Sequence, residues 1–120
     1  MPKTVIITGA ASTTGIGNAC AELFKRNGFT VVGIDRDQPS PGAPIDDFVR
    51  VDLAKANQID SFVRNYFSTK YGSLDVLINN AGVHLFKSVE DTSLEEFDFV
   101  QTVNFRAPFL MTKLCYPLLK

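Results

Sequence analysis

Two hydrophobic periods alternate along the chain, one suited to buried strands and one to amphipathic helices. Thr4-Val-Ile-Ile-Thr8 is a β-branched run closed by Gly9, which predicts a buried strand starting almost at the N-terminus. From Ile16 to Asn27 the apolar or small residues Ile16, Ala19, Cys20, Leu23 and Phe24 recur at helical spacing, and Asn27-Gly28 supplies the stop. Thr30 to Asp35 repeats the strand pattern, and Pro39-Ser-Pro-Gly-Ala-Pro44 after it can only be loop. A third strand is expected over Phe48 to Val51. A helix follows, with Ile59, Phe62, Val63, Tyr66 and Phe67 on one face and a stop at Gly72. Leu74 to Asn79 predicts a fourth strand. Overlapping capping boxes at Thr92/Glu95 and Ser93/Glu96 then open a long helix with Leu94, Phe97, Val100, Ala107, Leu110, Leu114 and Leu118 at roughly helical spacing. Strands alternating with helices, each strand nearly continuous in apolar residues, imply an α/β fold with a parallel sheet covered on both faces.

Composition narrows the function classes. The 120 residues are 45% hydrophobic with a formal charge of -1, which suits one globular domain and offers no basic stripe for nucleic acid. Only a few apolar residues precede Gly9, too few for a signal sequence or a membrane span, so no membrane partner and a cytoplasmic address are expected. Cys20 and Cys115 lie far apart without a CxxC partner or nearby His, and read as core-facing residues rather than a disulfide or metal set. No metal site is expected.

The chemistry concentrates where strands end. Thr8-Gly9-Ala-Ala-Ser12-Thr-Thr-Gly15-Ile16-Gly17 joins the first strand to the first helix, and glycines there let backbone approach a pyrophosphate at a helix start. A plain strand-to-helix turn also uses glycine. A nucleoside triphosphate loop is excluded because Gly15 is followed by Ile16 rather than Lys, and the GxGxxG spelling is absent. Asp35 ends the second strand 18 residues after Gly17, where a carboxylate can hold ribose hydroxyls, although a solvated strand end reads the same way in isolation. Arg36 beside it could instead clamp a 2′-phosphate.

With Asp52-Leu53 after the third strand and Asn79-Asn80-Ala81-Gly82 after the fourth, the chain resembles the short-chain dehydrogenase/reductase family. The Asn-Asn-Ala-Gly motif matches residue for residue. The glycine loop departs from the family's Thr-Gly-xxx-Gly-x-Gly, because five residues, Ala10 to Thr14, separate Gly9 from Gly15. The assignment of Ser12, Thr13 or Thr14 to a phosphate contact therefore stays open.

The resemblance implies a Rossmann-type doubly wound sheet of strand order 3-2-1-4. It also implies a nicotinamide dinucleotide held by Gly9, Ser12, Gly15, Ile16, Gly17, Asp35, Arg36, Asp52, Leu53, Asn80, Ala81, Gly82 and Val103. Asp35 favours NAD over NADP. Asn104 matches the family's catalytic Asn. Pro108, lacking an N–H, should bend the helix and free the carbonyl of residue 104 for a water, or else Asn104 simply satisfies its own bend. Tyr116-Pro-Leu-Leu-Lys120 spells Tyr-xxx-Lys but lies in the same helix as Asn104, whereas the family's pair lies on the next helix. It is read as a decoy. His84, just past Gly82, is read as a cleft-lining or exposed loop residue.

The chain is therefore expected to be the nucleotide-binding portion of an oxidoreductase acting on an alcohol or ketone, incomplete at its C-terminus and inactive alone. A non-catalytic dinucleotide-binding or interaction module is the alternative. The fourth strand is expected to form an apolar exposed edge, and the last helix to be a surface for a homo-oligomer.

Overall fold

The structure, a computed structural model, describes residues 2–12 and 14–120. Four parallel strands, β1 (Thr4–Thr8), β2 (Thr30–Asp35), β3 (Asp47–Arg50) and β4 (Val76–Ile78), form one sheet of order β3-β2-β1-β4. Val5 pairs with Val31 on one side and Val76 on the other, so β1 is central, and all five of its residues are buried. Its alternation feeds two cores. Ile6 points to the side packed by Ile59, Phe62, Val63, Phe67, Met111 and Leu114, whereas Val5 and Ile7 pack with Ala10, Ala21 and Val31. This is the expected sheet covered on both faces.

Helix α1 (Ile16–Arg26) covers the second face and ends at Asn27-Gly28, where Gly28 turns at φ +84° and the Asn27 side chain donates to the Leu23 carbonyl. Its packed stripe runs through Gly17, Cys20, Ala21 and Phe24, which keeps Cys20 and Phe24 of the expected apolar set but leaves Ile16, Ala19 and Leu23 exposed. Ile16 is 76% and Leu23 56% exposed. The helix is rotated so that Gly17, which has no side chain, closely meets Asn80 and Gly9 just past the ends of β4 and β1.

On the first face, α2 (Ala56–Asp60) runs into a π-type segment (Ser61–Phe67) and then α3 (Ser68–Tyr71), before Gly72 ends the helical stretch. It is tied to the start of β3 through Asp47. The Asp47 carboxylate accepts from Tyr66 Oη at 2.9 Å, Tyr71 Oη at 2.7 Å and Lys70 Nζ at 3.1 Å. Burial pushes the Asp47 carboxyl up, but these three donors outweigh it and hold the group below its ordinary range.

The last helical stretch comprises α4 (Leu94–Gln101), a π-type segment (Thr102–Arg106), α5 (Ala107–Cys115) and a 3₁₀ turn (Tyr116–Leu118). Ser93 caps it in a capping box with Glu96, as expected of one of the two candidates. Val103, Ala107, Met111, Leu114 and Cys115 form its buried side, while Leu94 and Phe97 are 74% and 52% exposed. One helical phase cannot fit both halves, because the wider π turn shifts the apolar stripe. Cys115 is fully buried, as expected, and burial pushes its thiol up to about 11; Cys20 is half-buried.

β4 is shorter than its apolar run. Asp75 accepts the Thr4 N–H at 2.8 Å with its side chain, which separates Leu74 from the ladder of Val76–Ile78. Leu74 instead pairs in parallel with Leu119, and is fully buried. Residues 118–120 thus begin a fifth parallel pairing beside β4, so the expected open edge is partly covered at Leu74.

Candidate functional site

The carboxyl ends of all four strands lie along one margin of the sheet, and the strand order reverses between β1 and β4. At such a switch point the loops diverge and leave a crevice. Here it is a cleft of ≈ 330 Å³ lined by Gly9, residues 35–37, residues 51–53, residues 80–83, Phe99 and Val103.

Its floor is a lock between the first and fourth strand ends. The Thr8 hydroxyl accepts from the backbone N–H groups of Asn80 at 3.0 Å and Ala81 at 2.9 Å. Asn80 returns the contact, its Nδ2 donating to the carbonyls of Thr8 and Gly9 at 3.1 Å each. The lock leaves no room for side chains. Gly9 sits at φ +67°, and a Cβ there would lie 2.8 Å from Ala81 Cα. A Cβ on Gly17 would meet Asn80 Nδ2 at 2.6 Å. The glycine loop and the Asn-Asn-Ala-Gly turn are therefore one packed unit, a relation that sequence spacing alone does not reveal.

One side wall holds three charges in a row. Asp35 is half-buried, its Oδ2 accepting from the Ala11 N–H at 3.1 Å and its Oδ1 from the Asp37 N–H at 3.0 Å. It thereby fixes the glycine loop and aims the turn that follows. Arg36 and Asp37 are exposed on the cleft. The next wall is stiffened by Asp52, whose Oδ1 accepts from Ala54 N–H at 2.9 Å while its own N–H donates to Gln58 Oε1 at 2.8 Å.

The far wall is the π-type segment. Val103 is buried against the cleft and Asn104 reaches across to the turn after Gly82. Asn104 Oδ1 accepts from the Val83 N–H at 2.7 Å, and Nδ2 donates to the Val83 carbonyl. The helix meets Pro108 by widening into a π turn, in which the N–H of Ala107 bonds the Thr102 carbonyl. Asn104's side chain is thus engaged with a neighbouring loop rather than with its own bend.

Beyond Val83 the chain is exposed from His84 to Asp91. His84 lies edge-on to Phe86 with ring centres 4.6 Å apart, and Phe86 is 91% exposed. Lys87 Nζ is 2.7 Å from Glu96 Oε2, tying this loop to the start of α4. The hydrogen bond from Lys87 and the backbone N–H of Ser93 hold the Glu96 carboxyl down at about 2.

Of the residues expected to hold a dinucleotide, Gly9, Asp35, Arg36, Asp52, Leu53, Asn80, Ala81, Gly82 and Val103 line this one cleft. Gly17 packs beneath it. Ser12, Gly15 and Ile16 are exposed and stand outside the lining, with Ser12 Oγ 3.2 Å from Thr14 Oγ1; Thr13 lies outside the described residues. Sequence reading missed Asp37, Val51, Val83 and Phe99, and underrated Thr8, whose hydroxyl unites two strand ends. Thr8 is visible as the residue before Gly9, but its partner 72 residues away is not. Tyr116 is 75% exposed at the start of the 3₁₀ turn, and the Lys120 N–H donates to the Leu74 carbonyl. Twelve helical residues, about 18 Å of rise, separate Tyr116 from Asn104.

Among the described residues no group of three metal-ligating side chains occurs, and no helix is long and apolar enough to cross a membrane.

A family model described as short chain dehydrogenase matches residues 3–120. An NAD-dependent glycerol dehydrogenase of Listeria innocua is 36% identical over 118 residues, covering 93% of this chain and 45% of the relative. A 3-ketoacyl-(acyl-carrier-protein) reductase of Brucella melitensis, solved with NADH, superposes with a TM-score of 0.84 at 36% identity, over 97% of this chain and 49% of the other. A metagenomic short-chain oxidoreductase solved with NADP gives 0.87 at 28% identity, over 97% and 55%. The chain thus spans about half the length of the proteins it matches.

Proposed function

The chain belongs to the short-chain dehydrogenase family, and on that premise we propose that its cleft binds a nicotinamide dinucleotide, NAD in preference to NADP. The observation that carries this reading is the convergence of Gly9, Asp35, Asp52–Leu53, Asn80–Gly82 and Val103 on a single cleft at the strand-order reversal. The glycine floor fits such a ligand. Gly9 and Gly17 let the loop pack directly on Ala81 and Asn80, and Gly15 caps α1 without a side-chain bond, leaving the first N–H groups to face a pyrophosphate.

Asp35 receives the adenosine ribose hydroxyls, and Leu53 and Asp52 border the adenine. Asp37 strengthens the case for NAD, because Arg36 stands between two carboxylates, and a dianionic 2′-phosphate would approach both. Ala81, Gly82 and Val103 border the nicotinamide half.

When bound, the dinucleotide supplies or accepts a hydride. In the full-length protein the partner substrate is an alcohol or ketone, and Asn104 acts at the nicotinamide end by holding Val83. General acid–base groups of the reaction are not assigned to Tyr116 or Lys120. The exposed Phe105, Phe109 and Tyr116 on the last helix form the face on which a second copy packs.

Titration of the purified chain with NADH and NADPH, read by nicotinamide fluorescence, tests the reading. Saturable NADH binding at least tenfold tighter than NADPH is expected, roughly 1.4 kcal/mol of discrimination. Absence of binding by a folded chain contradicts the dinucleotide reading, and equal affinities contradict the preference. Turnover of alcohols or ketones by the chain alone would contradict the expectation that it is inactive by itself.

A further inference from the structure

Three side chains of the π-type segment reach outward to the cleft or to the loops beside it. Val103 lines it, Asn104 grips Val83, and Arg106 Nη2 donates to the Ala54 carbonyl at 3.0 Å. The third contact spans 52 positions of sequence and ends on the loop whose preceding residues, Asp52 and Leu53, form the opposite wall. That loop is already curled on itself. Asp52 Oδ1 holds the Ala54 N–H, and the Lys55 N–H donates to the Asp52 carbonyl at 2.9 Å. Its conformation is thus internally fixed, Leu53 packs on the core shared with Ala107 and Met111, and the exposed Arg106 bond adds a polar tie between the loop and the helix.

We infer that Arg106 is a positioning residue for the adenine-side wall of the cleft, setting the spacing between the Asp52–Leu53 loop and the helix that carries Val103 and Asn104. The inference rests on the dinucleotide reading of the cleft. Arg106 does not itself line the cleft, so it acts through the loop. A planar guanidinium suits this role because it is always charged, and a charge-assisted hydrogen bond to a carbonyl is stronger than a neutral one. The π turn contributes as well. An extra residue in the turn lets Val103, Asn104 and Arg106 address a wall, a loop and a second loop from one short stretch, which gives the widened turn a use beyond accommodating Pro108.

The test compares the wild-type chain with Arg106→Ala and Arg106→Lys, titrating each with NADH, ADP-ribose and reduced nicotinamide mononucleotide. Arg106→Ala should weaken NADH and ADP-ribose alike by about five- to tenfold, the effect of losing one hydrogen bond from a charged donor. The mononucleotide, which has no adenine, should bind it as it binds wild type. Arg106→Lys should recover at least half of the loss, because an ammonium can still donate to the Ala54 carbonyl. Faster amide exchange at Leu53 and Ala54 in Arg106→Ala should accompany the weaker binding. Unchanged NADH affinity in Arg106→Ala overturns the inference while leaving the dinucleotide reading intact. An equal loss for the mononucleotide also overturns it, since that would mark general damage rather than a displaced adenine wall. A folded wild-type chain that binds none of the three ligands overturns both readings.

Discussion

Asn104 and Val83 are joined by two hydrogen bonds, the Asn104 side chain accepting the Val83 N–H at 2.7 Å and donating to the Val83 carbonyl. A side-chain amide that pairs with both polar groups of one residue imitates a strand partner. It fixes the direction in which the chain leaves the Asn80–Gly82 turn, and so the shape of the cleft beside that turn. Asn104→Leu, close in volume, removes both bonds and leaves the Val83 groups without them. Amide exchange at Val83 should rise about tenfold and NADH affinity fall by a similar factor. Exchange indistinguishable from wild type would show that the loop holds its shape without Asn104.

Gly9 offers a sharper structural test. A methyl group there would sit 2.8 Å from Ala81 Cα, in a backbone conformation of φ +67°. The contact is with backbone, so it cannot be relieved by rotating a side chain. Gly9→Ala should lower unfolding stability by about 2–4 kcal/mol in urea titrations and abolish dinucleotide binding. Gly42, also at positive φ but with no atom near its missing Cβ, is the control, and Gly42→Ala should cost only about 1 kcal/mol. Equal losses at the two positions would show that backbone conformation, not the Gly9–Ala81 contact, sets the cost.

On the proposed reading, residues 35–37 would set the cofactor preference by opposing charges. Asp35→Asn keeps an oxygen for the Ala11 N–H while removing the anion, and Asp37→Asn removes the exposed one. Each change should raise NADPH affinity relative to NADH, the two together by about tenfold or more, while Arg36→Ala should lower it. If Asp37→Asn leaves the ratio unchanged at low ionic strength, the second carboxylate has no part in selection.

Acid should loosen the loop that follows the cleft. The folded-state Glu96 carboxyl titrates at about 2, below its ordinary 4.5, because of Lys87 and Ser93. A carboxyl depressed by folding contributes stability that is complete above the ordinary value and is lost as pH falls through the folded value. The stability difference between wild type and Glu96→Gln should therefore be constant above about pH 5 and shrink steadily toward pH 2. Added salt should reduce it at neutral pH. A difference that does not change over this range would exclude the Lys87–Glu96 pair as its source.

Much of this arrangement is legible in the chain itself. The strand runs Thr4 to Thr8 and Thr30 to Asp35 agree with the structure to the residue, because a buried β-branched run bounded by glycine or a charged turn leaves little freedom. The sheet order and the convergence of motifs at strand ends followed from the resemblance. Other features depended on distant partners. Ile16 looks like a core residue in sequence, yet close packing of Gly17 on Asn80 rotates the helix and leaves Ile16 exposed. Leu94 and Phe97 fit a helical stripe, but the π turn separates their phase from that of Ala107 and Met111. Leu74 belongs to an apolar run, yet the Asp75 side chain takes the N–H of Thr4 and ends the ladder early.

The most direct test of the central claim is residue-resolved mapping of the dinucleotide by amide chemical shifts on the intact chain. Addition of NAD should move the Gly9, Asp35, Leu53, Ala81, Gly82 and Val83 resonances together with one saturation curve, and leave Phe109, Thr112 and Lys113 on the outer helix face unmoved. Shifts confined to that outer face, or none at saturating NAD, would contradict the assignment of the cleft.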